Sequence, residues 1–130
     1  MTLVDSSVWI DFLRASGSVA DEYVKQRLGQ SLAVTEPVQM EVMAGVPRDS
    51  VERVLRLLDS QEPLPVEPDV DYLAAAALYR ECRRLGRTIR SLNDCLIAGV
   101  ALRTKATLVH KDADFDVIAE VSGLDVVSLR

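Results

Sequence analysis

The feature that most limits the fold is a series of short apolar runs set between longer helical patterns. Leu3-Val4 and the stretches 31–35 (SLAVT), 106–110 (ATLVH) and 124–129 (LDVVSL) each read as a strand with no alternating polar face. A strand that is apolar on both sides needs cover on both sides, as in a parallel sheet. Helical patterns fill the gaps at 7–13, 21–28, 38–45, 70–86, 91–105 and 115–123. A further one has Val51, Val54, Leu55 and Leu58 at i, i+3, i+4, i+7, with Asp49 or Ser50 to cap it. Thr35 and Pro37 suit the start of the helix at 38–45. The proline-bounded EPLPVEP has room only for a short strand. Strands alternating with helices predict an α/β fold with a mainly parallel sheet covered by helices on both faces, and residues 1–130 are read as one domain. In such sheets ligands bind beyond the carboxyl ends of the strands. Asp5 lies at one such end and Asp112 just beyond another.

No apolar run approaches the ~20 residues of a membrane span, and no basic region followed by an apolar core opens the chain. A cytoplasmic location is therefore expected, where the two cysteines, Cys82 and Cys95, are not expected to pair. With a single histidine, His110, a zinc site has almost no support. The net charge of −5 disfavours nucleic acid in the bulk, yet five of the 15 lysines and arginines fall within residues 80–90 (RECRRLGRTIR).

Each carboxylate near a strand end or helix start has a plain structural explanation beside a chemical one. Asp5 fits a helix cap or a ligand. Glu41 sits among Val38, Met40, Val42 and Met43, so it is either an exposed acid or one that needs a cation nearby. Ser91 and Asp94 fit a capping box, but Asp94 opens the apolar run Cys95-Leu96-Ile97-Ala98 and can turn an oxygen toward a metal. Asp112, Asp114 and Asp116 alternate as in a calcium loop. Valine at the sixth position and glycine at the twelfth exclude an EF-hand, and leave Asp114 or Asp116 to cap the next helix. Gathered together, Asp5, Glu41, Asp94 and Asp112 would repel one another unless neutralised. Oxygen-only ligands suit Mg²⁺, with Mn²⁺ as a substitute.

These residues stand in four motifs, LVDSSVWID, EPVQMEVMAG, RSLNDCLIAGVAL and LVHKDADFDVIA, whose order and spacing span nearly the whole chain. In them the chain resembles the PIN-domain ribonucleases, and among these the VapC toxins of toxin–antitoxin pairs. The resemblance implies a three-layer α/β/α sandwich. It also implies a Mg²⁺-dependent endoribonuclease that cuts single-stranded or looped RNA, of the tRNA or rRNA class, to leave a 5′-phosphate and a 3′-hydroxyl. It places the acidic set on Asp5, Glu41, Asp94 and Asp112, with Asp114 as a possible fifth member and Asp5 and Asp94 as direct metal ligands. Ser6 is the family's small hydroxyl residue, and Ser7 is an accessory that orients a carboxylate or water. The implied partners are RNA, a cognate VapB-like antitoxin whose C-terminal segment covers the groove, and a second copy of the chain in a homodimer or toxin–antitoxin hetero-oligomer.

Arg87 and Arg90 are the candidates to hold an RNA phosphate. The stripe of Arg80, Arg83, Arg84 and Arg87 equally fits a solvated helix face. Met40, Met43 and Trp9 read as core, with base stacking the lesser option for Trp9, and His110 reads as structural. The competing function is a catalytically inactive α/β module that binds a metal and regulates or interacts without cutting.

Overall fold

A computed structural model describes residues 1–130. Its five strands are β1 (Thr2–Val4), β2 (Leu32–Val34), β3 (Glu62–Pro63), β4 (Thr107–His110) and β5 (Val126–Ser128). All neighbouring pairs are parallel, in the order β3-β2-β1-β4-β5. β3, with its proline, takes an edge, where a missing N–H costs least. Leu3, Val4, Ala33, Leu108 and Val109 are fully buried, which accounts for the lack of alternation in these runs.

The helices are α1 (Ser6–Leu13), α2 (Val19–Arg27), α3 (Glu36–Ala44), α4 (Val51–Asp59), α5 (Pro68–Arg84), α6 (Leu92–Thr104) and α7 (Ala113–Ser122). The chain steps outward from β1 to β2 to β3 through α1–α4, then crosses back to β4 and β5 through α5–α7. Right-handed crossovers in opposite directions put the two helix groups on opposite faces, giving the α/β/α sandwich. The strand order reverses between β1 and β4, so the crevice that an α/β sheet uses for ligands opens there. The Asp5 N–H bonds the Val109 carbonyl at 2.9 Å across that point.

Some local expectations change. A 3₁₀ turn (Arg48–Ser50) leads into α4, and neither Asp49 nor Ser50 caps it with its side chain. Thr35 occupies the N-cap of α3 without a side-chain bond, Pro37 falling in the first turn. The cap of α7 is Asp112 itself, whose side chain accepts from the Asp114 N–H, in place of Asp114 or Asp116. Met40 is 60% exposed, so α3 turns one methionine to solvent where its apolar composition predicted core. Trp9 is fully buried, which removes it from any role in stacking a base. No helix is long and apolar enough to cross a membrane.

Candidate active site

The four predicted acids converge at the switch point. Carboxylate oxygens of Asp5, Glu41 and Asp94 lie within 4.8 Å of one another, and so do those of Asp94, Asp112 and Asp114. Asp94 belongs to both triads, which makes it the centre of the cluster.

Asp5 follows the last residue of β1 and caps α1, as the cap reading expects, and its carboxylate also stands beside those of Glu41 and Asp94. Its Oδ2 accepts from the Ser7 N–H at 3.1 Å and from the Ser7 hydroxyl at 2.6 Å. Its Oδ1 is buried without any hydrogen-bond partner. An ionised oxygen in that state is costly unless a cation completes it. Burial pushes the Asp5 carboxyl up, the Ser7 bonds pull it down, and Glu41 adds repulsion; the net direction is upward. Ser7 also accepts from the Lys111 N–H at 3.1 Å, pinning the loop after β4 to the start of α1. Ser6 donates to Glu41 Oε1 at 3.1 Å, so the two serines orient one carboxylate each.

Asp94 enters from the first turn of α6. Ser91 caps this helix by accepting from the Asn93 N–H at 3.2 Å, a simple N-cap to the second helical residue in place of the expected capping box. The reciprocal bond is missing because the Asp94 side chain joins the acidic cluster. There it is 6% exposed, and its carboxyl is pushed up to about 8, first by burial and then by Asp5, Asp112, Glu41 and Asp114. At neutral pH such a group holds a proton unless positive charge displaces it. The donor set is all oxygen and strongly anionic, and it contains one orphaned atom. Those properties fit Mg²⁺ or Mn²⁺ and disfavour softer ions.

Arginines border the cluster. α5 ends in a Schellman motif, with Gly86 at φ +73° and the Arg87 N–H bonded to the Cys82 carbonyl at 2.8 Å. This turn carries residues 87–90 toward the acids. The Arg90 side chain, largely exposed, approaches Asp112 and Asp114 at 3.5 Å each, while its N–H bonds Asp114 Oδ2 at 3.2 Å. Arg87 pairs with Glu120 of α7 at 2.6 Å on the surface, so it is turned to a neighbouring acid rather than to the cluster. Arg84 pairs with Glu81 at 2.5 Å, an exposed helical pair of the solvated-face kind.

The PIN domain profile matches residues 2–121. The chain belongs to the PIN-domain family. Within it, the chain is 43% identical to VapC ribonuclease Mb1587 of Mycobacterium bovis and to ribonuclease VapC11 of Mycobacterium tuberculosis over 134 aligned residues, covering all of both chains in each comparison. It is thereby a member of the VapC ribonucleases. The fold is also that of the DNA-bound VapBC structure from Salmonella typhimurium, at a TM-score of 0.78 and 16% identity over 99% of this chain and 98% of that one.

Among the ion pairs that the sequence does not announce, two lie deepest in the fold or closest to the site. Arg103 of α6 binds Asp71 of α5 through Nε (3.0 Å to Oδ1) and Nη2 (2.9 Å to Oδ2). Lys111 pairs with Asp11 beside the site. Both join residues at least 32 positions apart, so no local spacing announces them.

Proposed function

We propose that this chain is a Mg²⁺-dependent endoribonuclease, the toxin of a toxin–antitoxin pair, which hydrolyses phosphodiester bonds in single-stranded or looped RNA. The observation that carries the reading is the pair of acidic triads, Asp5-Glu41-Asp94 and Asp94-Asp112-Asp114, joined at Asp94, with an unpartnered, buried oxygen on Asp5. Membership of the VapC ribonucleases supports the reaction class.

In this reading Asp5 and Asp94 hold the ion, and Glu41 and Asp112 orient water or a second ion, with Asp114 completing the triad on the far side of Asp94. Bound there, Mg²⁺ supplies Lewis acidity toward the scissile phosphate and makes water a better nucleophile at neutral pH. Ser7 holds Asp5 Oδ2 and leaves Oδ1 without a protein partner, free to meet an ion. Ser6 does the same for Glu41. Arg90 and Arg87 receive a flanking phosphate, exchanging their present carboxylate partners for it. A VapB-like antitoxin is the cognate partner and inhibitor in this reading, in line with the VapBC and other toxin–antitoxin complexes that share the fold.

Incubating purified protein with structured RNA and Mg²⁺, beside Asp5→Asn, Asp94→Asn and an EDTA control, tests this. Cleavage in the first lane alone supports the proposal. Equal fragmentation in all four would assign the cutting to a contaminant. Expression without an antitoxin arrests growth in this account, and Asp94→Asn relieves the arrest.

A further inference from the structure

His110 is the sole histidine, fully buried at the end of β4 and two residues before Asp112. Its ring fills no gap at random. Nδ1 lies 3.0 Å from the Asp112 N–H, and Nε2 lies 3.0 Å from Asp116 Oδ1. A backbone N–H can only donate, so Nδ1 accepts, and the ring proton sits on Nε2, where it is donated to the Asp116 carboxylate. The ring thus braces the amide of Asp112 against the first turn of α7. Phe115 packs on the imidazole, with ring centroids 5.3 Å apart, and Arg130 approaches the other Asp116 oxygen at 3.6 Å.

That amide matters because Asp112 has two tasks. Its Oδ1 caps α7 through the Asp114 N–H at 3.0 Å, and its carboxylate joins the triad with Asp94 and Asp114. The Asp112 carbonyl also accepts from the Phe115 N–H at 3.1 Å, so the cap and the helix hold its C-terminal side and leave only its N–H side free. The Nδ1 bond at the N–H, together with Ser7 Oγ on the preceding N–H, removes that freedom.

We infer that His110 is a positioning residue for the cation site: its Nε2–H tautomer, locked by Asp116, holds the backbone of Asp112 so that the carboxylate meets Asp94 and Asp114. The inference rests on the reading of the acidic cluster as a cation site. It assigns His110 no contact with the ion, water or RNA.

Two substitutions separate the two ring nitrogens. His110→Asn places an amide oxygen near Nδ1 and retains the acceptor for Asp112 while giving up Asp116. His110→Gln reaches toward Asp116 and gives up the acceptor. Binding of Mn²⁺ alone, followed by the electron paramagnetic resonance of the free ion, is compared for both variants and the wild type after circular dichroism confirms that each is folded. Glutamine at this position weakens Mn²⁺ binding by about tenfold or more, the usual loss when an outer partner of a ligand is removed, while asparagine stays within about threefold of the wild type. RNA cleavage follows the same order. Nitrogen NMR of the single histidine in the wild type shows Nδ1 unprotonated and Nε2 protonated.

Equal affinities in folded Asn and Gln variants overturn the inference, as does a ring proton on Nδ1, which decides the matter even if His110→Gln does not fold. A wild type that shows the predicted rank order for Mn²⁺ but cuts no RNA refutes the nuclease reading and leaves the positioning role standing.

Discussion

Two buried aspartates in this molecule have opposite environments. Asp71, fully buried near the start of α5, meets the Arg103 guanidinium through both oxygens, and Arg103 also reaches Glu67 and the Pro65 carbonyl. Burial alone pushes the Asp71 carboxyl up, but the Arg103 bonds, the Glu67 N–H and the guanidinium charge outweigh it and hold the group below the usual carboxylate range. Asp94, on the neighbouring helix, is almost as buried and has four acids around it instead of a cation. The first arrangement is complete within the chain and joins α5 to α6. The second has no cationic partner within the chain, and in the proposed reading a divalent ion supplies it. Stability and function are written in the same residue type, and the partner decides which.

The contrast breaks most visibly at Arg103. Arg103→Ala leaves Asp71 buried without its cation and costs about 3–5 kcal/mol, read from urea unfolding. Asp94→Asn has the opposite sign: without metal it removes repulsion and raises stability by on the order of 1–2 kcal/mol. The same change loses several kcal/mol of charge stabilisation in the reaction, about a hundred- to a thousandfold in cleavage rate. If Asp94→Asn destabilised the metal-free protein instead, the repulsion argument would be wrong.

The pH dependence sharpens the same comparison. In metal-free protein the Asp94 carboxyl titrates near 8 when folded, against the model-peptide range when unfolded. Between about pH 4 and pH 8 the folded state therefore keeps a proton that the unfolded state has released. Stability falls as pH rises through that window, by up to about 1.4 kcal/mol per pH unit, and Mg²⁺ abolishes the fall. The Asp71 pair works the other way, stabilising fully above the unfolded carboxylate range and losing its contribution as pH falls below that range through the lowered folded value. Denaturant midpoints across pH, with and without Mg²⁺ and in Asp94→Asn, separate the two. The smallest effect belongs to the surface arginines. Changing Arg87 and Arg90 together to alanine lowers RNA affinity and flattens its logarithmic salt dependence by about 1.4, the value for two lost phosphate contacts on a single strand.

Much of this was legible in the chain itself, for physical reasons. Continuous apolar runs such as ATLVH have one stable use in a sheet, between two helix layers, and that places Asp5 and Asp112 at adjoining strand ends. Asp94 could be read as cap or ligand; its side chain makes no capping bond and lies instead among the other acids, a placement that only the packed fold reveals. Local capping was less legible: Asp112, Asp114 and Asp116 all suit the start of α7, and only the turn geometry selects Asp112. Met40 misled because the apolar residues of α3 lie on most of its circumference, which hides which face lacks a neighbour. The Asp71–Arg103 pair was invisible, since it exists only once α5 and α6 lie against each other.

The most direct test of the central claim is calorimetric titration of Mg²⁺ into the protein at pH 7, in two buffers of different ionisation enthalpy. Asp94 with a carboxyl near 8 must surrender its proton when the ion binds, so the heat depends on the buffer and reports proton release, and Asp94→Asn removes both the binding and the release. Binding unaltered by Asp94→Asn, or no binding by the wild type, would contradict the assignment of these acids as a cation site.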